Sequence, residues 1–356
     1  MDKDLLDLYT DYLISSFGAT TATGLSALMN HAVSHDRITR LLSGRDCTSA
    51  DLWQFVKPLV RQVQSEDAVL VIDDSVEAKP HTDESELVCW HWDHTQGRSV
   101  KGINLLTTLY YSQEVSLPVA FELVKKPDFV TDKKTGKLKR AAKQTKNELY
   151  RQMLSACVRN GILFRYVLHD TWFASVENMV FVKQTLPKDF VMPLKENRKI
   201  TKDAPDIPNR RYVPVSEFAI EQGALETVWL EGMDFPLLLT KQVFTNKDGS
   251  TGVLYLVTSD TALTAEQITT FYQKRWKVEE YHKSLKSNLA FAKSPTKTVR
   301  TQSNHLFACL IAFVKMEQMR LQTRLSHFTM KGQLYQAALR SAFQQLQALK
   351  AQCGLA

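Results

Sequence analysis

Cysteine is scarce in this 356-residue chain: five residues, Cys47, Cys89, Cys157, Cys309 and Cys353, form an odd, scattered set with no CxxC pair. That set does not fit a disulfide framework and does fit a reducing compartment. Glycine (13) and proline (11) are sparse as well, which excludes collagen-like and low-complexity readings. No apolar run approaches the roughly 20 residues that span a bilayer, so no membrane association is expected. The opening stretch MDKDLLDLYTDYL is acidic and amphipathic rather than basic then apolar, which does not read as a signal peptide and predicts a cytoplasmic protein. No Gly-rich phosphate loop of the Walker type is present, and no nucleotide cofactor is implied.

What remains is an ordinary globular composition, 44% hydrophobic and 23% charged, which excludes wholesale disorder. The length allows one large domain or two to three smaller ones. Lysine and arginine (45) exceed aspartate and glutamate (38), for a net charge of +7. The distribution says more than the total. Residues 125–146 hold nine Lys/Arg against two Asp, and residues 274–300 hold eight against two Glu. Two basic clusters in an otherwise balanced chain point to a nucleic-acid partner over a generic solvated surface.

Residues 1–65 read as helices, with apolar spacing at Leu5, Leu6, Leu8, Tyr9 and again at Leu52, Phe55, Val56, Leu59. Between them, ATGLSALMNHAVSHDRITRLLSG fits a helix, a turn and a second helix from about Ser34 to Gly44, with Arg37, Thr39 and Arg40 outward. This is either a helix-turn-helix DNA reader or part of an ordinary bundle. The pattern then changes. AVLVI (68–72), INLLTTLYY (103–111), LPVAFELV (117–124) and ILFRYVLHD (162–170) read as strands, with a turn at SQEVS. The basic stretch 125–146 reads as a loop leading into a helix over 145–160, residues 174–186 read as helix, and 189–194 as strand. Residues 195–260 carry more charge, more proline and short strands at 212–215, 225–230, 236–244 and 252–258, the last two joined by a turn at Asn246–Gly249, and read as a mostly β insertion. A Thr264–Gln267 capping box opens a long helix to about Asn288, and two further helices, 302–325 and 331–350, follow the break at Pro295.

Two apolar strands end in aspartate, at Asp73/Asp74 and at Asp170. Carboxylates at the ends of neighbouring strands can share a divalent ion, and hard oxygen ligands suit Mg²⁺ or Mn²⁺. Strand alternation sends Asp73 and Asp74 to opposite faces, so one of them at most is expected to be a ligand. A third carboxylate is offered by the helix 264–288. There Tyr272, Arg275, Glu279 and Lys286 fall within an arc of about 60° at 100° per residue. Phe271, Val278 and Leu285 form a neighbouring apolar stripe.

The spacing Y-x2-R-x3-E-x6-K resembles, without a gap, the signature of DDE transposases of bacterial insertion sequences that excise through a DNA hairpin. YQKRWKVEEYHKSLKSN looks like that family throughout; VIDDS resembles its first-aspartate strand and VLHDTWFAS its second. The resemblance covers about residues 68–290. It implies an α/β fold with a ribonuclease H-like core, a mixed sheet with flanking helices, interrupted by the β insertion and framed by helical N- and C-terminal regions. The implied organisation is a helical DNA-binding region over 1–65, a catalytic core over 66–194, a β-rich insertion over 195–262, the Glu-bearing core helix over 263–290 and a helical C-terminal region over 291–356. It assigns Asp74, Asp170 and Glu279 as catalytic, metal-binding triad, Asp74 because the family's aspartate is followed directly by Ser or Thr. It assigns Tyr272, Arg275 and Lys286 to transposon-end DNA.

The function implied is metal-dependent strand cleavage at insertion-sequence ends and strand transfer into target DNA, with two Mg²⁺ or Mn²⁺ ions as cofactors. The implied partners are double-stranded DNA, as terminal inverted repeats and target, and a second copy of the chain assembled on that DNA in a nucleoid-associated bacterial setting. The competing readings are a metal-dependent nuclease without strand transfer and a catalytically silent, transposase-derived DNA-binding protein. Some family members stack a flipped thymine on a Trp of the last insertion strand; here Leu254 aligns with it, while Trp229 and Tyr255 read either as its substitutes or, more simply, as insertion core.

Smaller signals read plainly. Cys89-x-His91-x-Asp93-His94 matches no common zinc spacing and reads as structural or DNA-facing. His169 reads as a packed histidine, His282 as a DNA-facing or surface residue, and LFACLIAFVKM as core or a dimer face.

Overall fold

The computed structural model describes residues 2–93, 96–133, 135–246 and 248–354. Four helices come first, α1 (Lys3–Ser15), α2 (Ala22–Leu28), α3 (His35–Ser43) and α4 (Ser49–Val63). Ser34 caps α3 through its side chain, and Ile38, Leu41 and Leu42 form its buried stripe, leaving Arg37, Thr39 and Arg40 outward. Strands β1 (Val69–Ala78), β2 (Cys89–Asp93), β3 (Arg98–Ser112) and β4 (Val115–Leu123) follow. Gln113 and Glu114, both at positive φ, make the two-residue turn that joins β3 to β4. Next come β5 (Asp128–Thr131), β6 (Leu138–Ala141), α5 (Lys146–Arg159), β7 (Tyr166–His169), α6 (Val176–Val180), which widens through Phe181–Thr185, and β8 (Asp189–Leu194). The chain then runs through β9 (Lys199–Thr201), β10 (Val213–Pro214), β11 (Leu225–Leu230), β12 (Leu237–Thr245), β13 (Thr251–Thr258), α7 (Ala265–Gln273), α8 (Lys277–Asn288), α9 (Val299–Thr323) and α10 (His327–Gln352).

The centre of the main sheet runs β4-β3-β1-β7-β8, antiparallel up to β1 and parallel from β1 through β7 to β8. This is the ribonuclease H-like order, with α5 as the crossover between β4 and β7. The regular structure of residues 195–262 is almost all strand, and these strands extend the same sheet: β13 pairs β8 antiparallel, and β12, β11, β9 and β10 follow outward. Gly102 allows β3 to pass tightly against β1, since a Cβ there would lie 2.1 Å from the Glu77 carbonyl oxygen.

Alternation along β1 sorts the core into two layers. Val69 and Val71 pack with Val278, Tyr281 and Leu285 of α8 and with α9, whereas Leu70 and Ile72 pack with Tyr150, Met153 and Leu154 of α5 and with α4. The segment LFACLIAFVKM lies inside α9 and all but Lys315 is buried, so it is core. A buried ion cluster fastens this layer: Glu317 of α9 accepts from Arg320 and from the Ser116 backbone N–H at 3.0 Å, and His327 of α10 lies 2.9 Å away.

Two expectations are corrected. The basic stretch 125–146 is not simply a loop but contains the hairpin β5–β6, closed where the Asp132 N–H donates to the Lys137 carbonyl and the Gly136 N–H donates to the Asp132 carbonyl. Both faces of β5 are exposed, so no alternation of apolar residues marked it. The long helix 264–288 is likewise interrupted, tightening over Lys274–Trp276 between α7 and α8.

Candidate active site

β1 and β7 run parallel, with Ile72 beside His169 as the last matched pair. The next residues are Asp73 and Asp170. Asp170 lies just past the end of β7, as expected, but Asp73 and Asp74 lie midway along β1, which does not end at them and continues beside β3 to Ala78. Asp73 and Asp170 both follow the parity of the α8-facing layer, Asp73 after Val71 and Asp170 after Leu168, and α8 brings Glu279 over them. The three carboxylates line one cavity of about 480 Å³ together with Asp74, Trp92, Trp172, His282 and Lys286.

The two β1 aspartates have different partners. Asp74 has the α5 parity: its carboxylate accepts from Lys146 Nζ at 2.8 and 2.9 Å and from Asn104 Nδ2 at 2.6 Å. Lys146 also lies 4.3 Å above the Trp172 ring. Asp73 has the α8 parity, and its oxygen, a Glu279 oxygen and a His282 ring nitrogen lie within 4.8 Å of one another. Thus the structure gathers Asp170, Glu279 and both β1 aspartates around one cavity, with Asp73 the β1 aspartate grouped with Glu279 and His282. Burial, followed by the charges of Asp170, Asp74 and Glu279, pushes the Asp73 carboxyl well above the usual carboxylate range. Burial also raises Asp170, and Asp74 adds to the shift, although the backbone N–H groups of Trp172 and Phe173 oppose it. Carboxylates crowded in this way repel one another unless a cation or protons intervene, and a hard, oxygen-rich donor set of this charge fits a divalent cation.

The other signature residues border the same place. Arg275 meets Glu279 at 3.4 Å, the (i, i+4) pair expected, and its guanidinium lies 5.7 Å from the Tyr272 ring centroid. Burial holds the Tyr272 hydroxyl up to about 12, so it remains a donor at neutral pH. Lys286, exposed at the cavity, donates to the Val76 carbonyl at 3.2 Å. The tightening at Lys274–Trp276 departs from the regular helix on which these four residues were placed, yet Arg275 and Glu279 stay paired across it.

His282 is buried, not at the surface, and the sequence carried a signal for it: Glu279-x-x-His282 is an (i, i+3) pair that projects from one helix face. Lys146 was legible only as one lysine of a basic run. His169 is packed, as read, edge-on to Tyr150, with Nδ1 2.7 Å from the Asp170 carbonyl oxygen. Cys89 and His91 share the buried face of β2, their Sγ and Nε2 3.2 Å apart, a structural pair; His94 lies outside the described residues. Tyr255 is buried in the sheet, Trp229 is half-buried on β11, and Leu254 packs against the core.

A ribonuclease H-like sheet with aspartates on β1 and directly after β7 and a helical glutamate in one cavity is the framework of enzymes that transfer phosphoryl groups of polynucleotides. A family model described as DDE superfamily endonuclease matches residues 2–215, and one described as transposase DDE domain matches residues 120–314. The chain belongs to the DDE transposase family. No match was found among curated proteins. The family acts on DNA by nuclease-type phosphoryl transfer and generally uses divalent metal ions. Among the described residues, no helix is long and apolar enough to cross a membrane.

Proposed function

We propose that the chain is a cut-and-paste transposase: it nicks DNA at insertion-sequence ends, excises the element through a hairpin and transfers the freed ends into target DNA. The observation that carries this reading is the convergence of β1, β7 and α8 carboxylates in one cavity beside the full Y-x2-R-x3-E-x6-K signature. Asp74, Asp170 and Glu279 are proposed as the triad that holds Mg²⁺ or Mn²⁺, two ions in all; Asp74 would then exchange its Lys146 partner for the ion. A divalent cation bound there polarises the attacking oxygen and neutralises charge growing at phosphorus.

The remaining work falls to this chain's own side chains. Arg275 can grip a phosphate bidentately, Lys286 offers a mobile point charge, and the Tyr272 hydroxyl donates to a phosphate oxygen, so together they align the scissile bond. Water first displaces the 3′-oxygen at the element end. The released 3′-hydroxyl then attacks the opposite strand, and after the hairpin opens it attacks the target; in each step one P–O bond forms as another breaks. Trp90 and Trp92 are each more than half exposed on β2, and Lys126 of the basic stretch donates to the Trp90 carbonyl at 2.6 Å, a combination of aromatics and cations suited to DNA. The N-terminal helices are proposed as a further DNA-binding region, with α3 presenting Thr39 and Arg40. A homodimer assembled on DNA is supported by α10, whose Leu339, Phe343, Leu346 and Leu349 are exposed.

DNA binding of this kind releases counterions, so affinity falls steeply between 50 and 200 mM salt, by a factor of about 10³ or more if six or more phosphates are contacted. A fluorescence-anisotropy titration at several salt concentrations measures the slope, and a flat response contradicts the phosphate contacts. Pre-cut element ends that become joined to a target plasmid distinguish a transposase from a nuclease that only cuts.

A further inference from the structure

His282 presents an unresolved cost to the fold. It is only 7% exposed, it lines the carboxylate cavity, and its Nε2 has no hydrogen-bond partner. A buried ring nitrogen without a partner has lost its water and gained nothing in return. Packing alone does not require an imidazole there, because Tyr281 and Leu285 already fill the α8 side of the core. What faces it is acidic: Asp73 from β1 and Glu279 one turn earlier on α8, with one donor atom of each residue within 4.8 Å of the others. Lys283 and Lys286 of the same helix also border the cavity, and the Lys286 ammonium is held by the Val76 carbonyl.

We infer that Asp73, Glu279 and His282 form a mixed oxygen–nitrogen seat for a divalent transition-metal ion. The inference rests on the reading of this cavity as a cation-dependent nuclease centre and goes beyond it, since neither Asp73 nor His282 belongs to the transposase signature. Two carboxylates and a neutral imidazole form a donor set that favours Mn²⁺ over Mg²⁺, because Mg²⁺ holds to oxygen and water while imidazole nitrogen suits the transition series. The seat gives the second β1 aspartate a role: strand alternation turns Asp74 toward α5 and Asp73 toward α8, so each can serve a different ion of a pair.

The test is electron spin-echo spectroscopy of the full-length protein loaded with Mn²⁺ alone. The expected result is ¹⁴N modulation from a directly bound imidazole, lost in His282→Gln, with Asp73→Asn weakening Mn²⁺ binding by about tenfold or more. Bound Mn²⁺ that shows no nitrogen coupling in the wild-type protein overturns the seat, as does coupling that persists in a folded His282→Gln protein. The wild-type spectrum needs no variant, so it decides even if His282→Gln does not fold. Cleavage of element ends by a wild-type protein without nitrogen coupling removes the seat and leaves the nuclease reading standing. Coupling without cleavage upholds the seat and counts against that reading alone.

Discussion

Glu279→Gln abolishes cleavage at the element ends, lowering the rate by about three orders of magnitude or more, and leaves DNA binding nearly intact. Glutamine keeps the shape and removes the charge. In the cavity, Glu279 is the carboxylate that α8 contributes opposite those of β1 and β7, so on the proposed triad its loss removes a cation ligand, and it unbalances Arg275, 3.4 Å away. Binding rests on lysines and arginines spread over two basic clusters and does not depend on this carboxylate; losing a negative charge beside the phosphates raises affinity if it changes it at all. The check is a denaturing-gel nicking assay beside a binding titration on the same DNA. Unchanged cleavage in a folded variant removes Glu279 from the triad.

The largest effect on stability is expected far from that cavity. Glu317→Ala costs about 3–5 kcal/mol, because it leaves buried partners uncompensated. Glu317 is 4% exposed; it accepts two hydrogen bonds from Arg320 and one from the Ser116 backbone N–H, beside His327. These contacts tie β4, α9 and α10 together. Burial raises the Glu317 pKa, but His327 and Arg320 outweigh it and leave the carboxyl below its ordinary value. The sign follows: a carboxyl depressed in the folded state contributes stability above its unfolded pKa, and that contribution is lost as pH falls through the folded value. Urea denaturation at pH 7 shows the loss, and the difference between wild type and variant shrinks as the pH is lowered past the ordinary glutamate range and through the depressed value of Glu317. A full difference persisting at acid pH contradicts the ionised cluster.

Much of this is legible in the sequence. The capping residues Ser34, Thr145 and Thr264 start helices where their side chains predict, because a local hydrogen bond decides the boundary. The apolar runs of β1 and β7 were legible because burial on both faces leaves a continuous apolar stretch; the end of β1 was not, since it passes Asp73 and Asp74 and runs on to Ala78 where its residues are only partly buried. Parity along β1 correctly separated Asp73 from Asp74. What parity could not say was which layer each would face, since that depends on α5 and α8 packing on opposite sides of the sheet. The resemblance, read from the Ser after Asp74, favoured one aspartate; the packing brings the other to Glu279. The Lys146–Asp74 pair was hidden likewise, because it joins residues distant in sequence. The hairpin β5–β6 escaped because exposed strands carry no periodic apolar signal, and the tightening at Lys274–Trp276 because helical periodicity survives one short turn.

The most direct test is to incubate the protein with DNA spanning the element boundary, in Mg²⁺ or Mn²⁺, beside an Asp170→Ala control. The account predicts nicks at the boundary that disappear in the variant, followed by a hairpin product on the element end. Tight binding to those ends with no cleavage under either metal, or cleavage that survives Asp170→Ala, contradicts it.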